Sequence, residues 1–152
     1  MQNSKFKIQN VLSLFCILHF AFCIGCSIPN LEEPECADAR DALRTFYSFH
    51  LDSGINFNQE NLKLRQKFLT PELFQTLAQK PAGTTDYFTV SDETPKSFRI
   101  GGCRIIEPDK KLSQDVIFFW RDDAKEESRQ KIVRVETVDV NKEWLINKVE
   151  AE

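Results

Sequence analysis

Read by the spacing of its apolar residues, the chain falls into three stretches. From Val11 to Ile24 they run almost without a break. Between Ala37 and Leu77 they recur at helical spacing, and beyond Asp86 they alternate or run together as in strands. In the second stretch, Ala39, Ala42, Leu43, Phe46 and His50 form one stripe, widened by Phe49, with Arg40, Asp41 and Arg44 on the other faces. The pattern predicts a helix over 37–52, with Gly54 as its stop. Asn58 can cap a second helix over 59–69, with Leu62, Phe68 and Leu69 facing inward. Thr70-Pro71-Glu72 restarts the chain: Thr70 as cap, Pro71 at the first helical position, Glu72 near the positive end of the dipole. Leu73, Phe74 and Leu77 give this third helix its apolar side, and Pro81-Ala82-Gly83 ends it.

The third stretch predicts strands at 86–90 and 97–106, with a bulge or bend at Gly101-Gly102. The run 115–121 is apolar on both alternations and predicts a strand covered on both faces. A charged loop over 122–130 leads to a strand over 131–140, whose alternation slips near Thr137 as at a bulge. Asn141-Lys142-Glu143 turns the chain into a last strand over 144–149. Helices followed by a meander of antiparallel strands make an α+β chain, with helices packed on one face of the sheet.

The first stretch changes what the rest must be. A head carrying Lys5 and Lys7, an apolar run of about 14 residues and the small Gly25 match a secretory signal. The run is short of the roughly 18 residues that span a bilayer; an uncleaved anchor is the alternative. Cys23-Ile24-Gly25-Cys26 resembles the lipobox of bacterial lipoproteins, with Cys23 where leucine is commonest. That resemblance implies cleavage after Gly25, lipidation of Cys26, and anchorage in a bacterial cell envelope; Ser27 points to the outer membrane if the source has one. Several acyl chains hold a protein stably where one chain binds reversibly. Cys23-x-x-Cys26 lies inside the apolar run with no second pair or histidine beside it, which argues against a redox or zinc motif. Residues 1–25 are then the signal peptide, 26–36 a proline-bearing tether, and 37–152 a single domain.

Removing 1–25 takes two of the 20 basic residues and none of the 23 acidic ones, so the remainder stands at −5. An acidic domain argues against a nucleic-acid partner. Of five cysteines, Cys36 and Cys103 remain beside Cys26. In an oxidising envelope they are either a disulfide joining the start of the first helix to a central strand, or two unrelated buried thiols.

The predicted domain resembles the cystatin-like cone of nuclear transport factor 2-like proteins. The resemblance rests on Leu43-Arg44-Thr45-Phe46-Tyr47-Ser48-Phe49-His50, on Phe68-Leu69-Thr70-Pro71-Glu72-Leu73 and on Trp144-Leu145-Ile146. Through Phe46-Tyr47, Leu69-Thr70-Pro71, Asp86-Tyr87-Phe88-Thr89 and Trp144 it is also similar to a bacterial lipoprotein family of unknown function with that fold. The resemblance implies a curved sheet and helices around a pocket, used by some members for catalysis and by many for binding.

Tyr47, His50, Asp86 and Tyr87 are the candidates to line such a pocket. His50, the only histidine after the signal, could form an acid–base pair with Asp86; a lone histidine on an apolar stripe is otherwise a packed structural residue. No Gly-x-Ser-x-Gly, phosphate loop, dinucleotide fingerprint or histidine-rich metal set occurs, so the sequence calls for no cofactor or metal and names no catalytic residue. Asp122, Asp123, Glu126 and Glu127 lack the spacing and glycine of a calcium loop and read as a solvated hairpin tip. Three functions follow. The first is a non-enzymatic envelope lipoprotein binding a partner protein or small ligand. The second is a small isomerase- or hydratase-like enzyme using His50 and Asp86. The third is an inhibitor or immunity-type lipoprotein. A closed environment around His50 would exclude the enzyme.

Overall fold

A computed structural model describes residues 32–54, 58–81, 83–122 and 127–152. The predicted signal peptide, Cys26 and most of the predicted tether lie outside the described residues. Among these residues, three helices pack on one four-stranded antiparallel sheet, within one compact unit spanning Glu32–Glu152. The helices are α1 (Pro34–Asp52), α2 (Gln59–Arg65) and α3 (Pro71–Ala78), with a 3₁₀ turn at Gln66–Phe68. The strands β1 (Ser97–Glu107), β2 (Lys111–Asp122), β3 (Glu127–Val140) and β4 (Glu143–Ala151) lie side by side in chain order. The α+β layout is therefore as predicted.

Helix α1 starts three residues earlier than its apolar stripe suggests, so Pro34, Glu35 and Cys36 belong to the helix and not to a tether. Pro34 takes an early position where its missing N–H costs nothing, and Glu35 meets the dipole. Gly54, at φ 82°, lies just beyond the end of α1. Asn58 caps α2 by accepting from the Asn61 amide at 2.8 Å, and Thr70 caps α3 by accepting from Leu73 at 3.3 Å. The predicted second helix is interrupted: it is α-helical to Arg65 and tightens into 3₁₀ before Leu69.

The sheet carries three irregularities. Gly101 and Gly102 together oppose Asp115, the predicted bulge. A side chain on Gly101 would meet the Asp115 carbonyl at 3.3 Å, which explains the glycine. Ile106 is an extra residue in the β1–β2 pairing. The third lies where the sequence places it, between Glu136 and Thr137, but β3 alternates through Thr137 and the extra residue is Asn147 on β4, between the Glu136–Lys148 and Thr137–Ile146 pairs. The bulge lets both Ile146 and Val149 face the helices. The β3–β4 hairpin turns on Asn141 and Lys142, both at positive φ, the type I′ geometry that suits strand twist.

Two further expectations fail. Residues 115–121 are covered on one face only: Val116, Phe118 and Trp120 are buried, whereas Ile117 and Phe119 are half-buried on the far side. The charged 122–130 segment is largely strand, since β2 runs to Asp122 and β3 begins at Glu127. Asp123 and Glu126 lie outside the described residues.

The core is the layer between helices and sheet. Leu43, Phe46 and Tyr47 of α1, Leu62 of α2, Leu73 and Leu77 of α3, and Phe88 meet Ile100, Val116, Phe118, Val133, Val135 and Ile146. A smaller cluster of Cys36, Ala39 and Leu112 closes the other end. There Cys36 and Cys103 form a disulfide, Cα atoms 6.0 Å apart across 67 positions. It staples α1 to an edge strand, not a central one. The edge of β4 is covered: the Thr70 amide donates to Ile146 O at 2.9 Å, and the Val149 amide donates to the Tyr87 hydroxyl at 3.2 Å.

Candidate functional site

Residues 86–90 are not a strand. The Asp86 amide donates to Ser91 O at 2.8 Å, closing a turn around the Asp86 carboxylate. Its Oδ2 accepts from the Phe88 amide at 3.0 Å, the Thr89 amide at 2.7 Å and the Thr89 hydroxyl at 2.9 Å. Local carboxylate-to-backbone bonds of this kind compete with strand pairing and here defeat a β-prone composition. The cost shows at Val90, a β-branched residue at φ 51°.

The same Oδ2 faces His50 Nε2 at 3.0 Å, so the pair predicted from sequence does form. A third residue completes it. Arg65 Nε donates to His50 Nδ1 at 2.6 Å, its Nη2 to His50 O at 3.3 Å and Gly54 O at 2.7 Å, and its Nη1 to Asn61 O at 2.6 Å. Arginine offers only donors, so His50 Nδ1 carries a lone pair and Nε2 carries the ring hydrogen. Arg65, on the stripe running Leu62, Arg65, Leu69, was missed by the sequence reading. An arginine on an inward helical stripe is the signal that could have found it.

The cluster is sealed. His50 and Asp86 are 1% exposed and Arg65 is 2% exposed. Phe46 stacks on the imidazole at 5.4 Å, and Phe88 meets it edge-on at 5.2 Å. Tyr47 is wholly buried and donates its hydroxyl to Phe88 O at 3.0 Å. Burial, then the neighbouring Asp86 charge, holds the Tyr47 phenol well above its ordinary value. Burial pulls the Arg65 guanidinium down, and Asp86 opposes that shift. Tyr87 points away from the others, toward the edge of β4, with the Lys80 ammonium 4.9 Å from its ring centroid. The interior that resemblance describes as a pocket is thus filled by Phe46, Tyr47, His50 and Phe88.

Concave surface lies elsewhere. A groove of about 680 Å³ runs between the flank of α1, the 3₁₀ turn and the β3–β4 hairpin. Its floor includes Phe68, Trp144 and Ala42, and its rim carries Glu35, Asp38, Asp41, Asp109, Asp139 and Glu143 against Lys67 and Lys142. A smaller hollow of about 400 Å³ lies beside Tyr87, Lys80 and Val149. Asp86 contributes to its wall, but Oδ2 is turned to His50 and to its own turn. No group of three or more His, Cys, Asp or Glu among the described residues is placed to hold a metal ion.

No protein-family model matches the chain, and no curated protein does. Among solved structures, it is similar to a protein of unknown function from Bacteroides thetaiotaomicron. That similarity has a TM-score of 0.51 and 18% identity, covering 75% of this chain and 89% of the other. At that identity it speaks to the fold alone.

Proposed function

We propose that the protein is a lipid-anchored, non-enzymatic envelope lipoprotein that binds a partner protein or small ligand in the groove beside α1. The observation that carries the reading is the contrast between two sites. The one acid–base pair that His50 builds is closed off by aromatic rings and spent on internal hydrogen bonds. The groove beside α1 is open, aromatic-floored and acid-rimmed. Pockets of this size with a few convergent polar groups are the usual binding sites of small domains. Aromatic faces beside carboxylates favour ammonium or guanidinium groups, so the occupant is a cationic ligand or a basic segment of a partner. An envelope hydrolase or toxin presenting such a segment would make the protein an inhibitor or immunity factor.

The nuclear transport factor 2-like cone is part of the same proposal. It is supported by the order of helices before a bulged antiparallel meander, with α1 lying across the sheet. The anchor is supported by the Cys23–Cys26 motif, and Cys26→Ser tests it: acyl labelling disappears and the protein leaves the membrane fraction. Unchanged labelling would remove the anchor. A trilysine peptide titrated into isotope-labelled protein tests the groove. The Trp144 indole and α1 amides should shift together; no shift, or shifts confined to another surface, would overturn the reading.

A further inference from the structure

His50, Arg65 and Asp86 come from three segments that this cluster ties together through side chains: the end of α1, the end of α2 and the 86–91 turn. The hydrogen bonds run in one direction. Arg65 Nε–H donates to Nδ1, and Nε2–H donates to Asp86. A second ring proton has only Nδ1 to occupy, and there it would confront the Arg65 donor 2.6 Å away. We propose that the cluster is an acid-sensitive latch, in which protonation of His50 releases α2 from α1 while the 86–91 turn stays attached.

The asymmetry follows from the partners. On the Arg65 side, protonation replaces an acceptor with a donor and sets two cations face to face in a site sealed from water. The guanidinium is also the stitch between helices, holding His50 O and Gly54 O at the end of α1 and Asn61 O in α2. Its withdrawal gives up both bonds to the end of α1 at once, while the Asn61 bond, internal to α2, travels with the helix. On the Asp86 side, the imidazolium still donates to Oδ2 and now pairs with a full opposite charge. The bonds within the turn do not involve the ring and persist.

Among the described residues, the other titratable group against the ring is Tyr47 of α1, ring centroids 6.3 Å apart, with its hydroxyl committed to Phe88 O. Phe46 and Phe88 supply the remaining ring contacts and carry no charge. Departure of α2 and the 3₁₀ turn would uncover Phe46 and Phe49, which now pack against Phe68 at 5.5 and 5.6 Å. Acid would thus present an aromatic patch that neutral conditions conceal. The latch does not depend on the groove being a binding site.

Amide hydrogen exchange on the full-length protein, corrected for intrinsic rates, tests the latch between pH about 7.5 and about 5, where imidazoles change charge. Amides 59–68 should lose protection by about tenfold or more, as expected for loss of hydrogen bonds to a charged group, while amides 133–137 of β3 hold theirs. His50→Gln offers Arg65 an oxygen and Asp86 an N–H but takes up no proton, so its α2 protection should not change with pH. Ring nitrogen shifts, assigned to His50 and not His19 by their absence from His50→Gln, should track the loss. Equal pH dependence in both proteins would overturn the latch. So would pH-independent protection in the wild type, or a doubly protonated ring beneath a still-protected α2. If His50→Gln fails to fold, the wild-type ring shifts and exchange decide the matter alone.

Discussion

The Tyr47 hydroxyl donates to the Phe88 carbonyl at 3.0 Å, joining α1 to the 86–91 turn across 41 positions of chain. Both residues are buried, so neither group has water to fall back on. Tyr47→Phe leaves that carbonyl unpaired and should cost about 1–3 kcal/mol in urea unfolding with an unchanged slope. A loss below a few tenths would mean the carbonyl finds another donor.

The same phenol predicts an alkaline limit. Its pKa is raised in the folded state, mainly by burial, so the unfolded chain releases the proton first. The stability contributed is fully present below the unfolded value of about 10 and is lost as pH rises beyond it. Wild type should therefore lose stability above pH about 10 more steeply than Tyr47→Phe. Parallel pH profiles would contradict the assignment.

Cys36–Cys103 closes a loop of 67 positions, for which chain entropy gives about 4 kcal/mol. Reduction, or the Cys36→Ser/Cys103→Ser pair, should lower unfolding stability by roughly that amount, and the unreduced protein should show no free thiol at either position.

Asp86 Oδ2 serves four donors from two segments. Asp86→Ala strands those donors beside a buried guanidinium and should cost about 3–5 kcal/mol; Asp86→Asn, which keeps an acceptor but loses the charge, should cost less. Thermal unfolding of both variants checks the order.

What the sequence made legible was local. The stripe of α1, the Asn58 and Thr70 caps, and the Gly101-Gly102 bulge each follow from residues within a few positions of one another. What escaped it was non-local. Tyr87-Phe88-Thr89-Val90 reads as strand because composition does not reveal that Asp86 spends its carboxylate on the backbone beside it. The register shift near Thr137 was legible in β3, but not that its extra residue is Asn147 of β4, because a bulge belongs to a pair of strands. Ile117 and Phe119 suggested a doubly covered strand, yet no described helix lies on their side of the sheet. His50 and Asp86 were paired correctly, but their role turns on Arg65 and on the surrounding rings of Phe46, Tyr47 and Phe88, and only folding shows that these seal the pair. The acidic groove draws on α1, the 3₁₀ turn and two hairpin turns, and no single stretch announces it.

The central claim separates a sealed structural cluster from an open binding groove, and one comparison tests both halves. Wild type, Asp38→Lys/Glu143→Lys and His50→Gln, each confirmed folded at neutral pH, are used to recover bound partners or ligands from envelope membranes. The account predicts the same occupant on wild type and His50→Gln, and its loss from the groove variant. An occupant retained by the charge-reversed groove, or lost only from a folded His50→Gln, would contradict it.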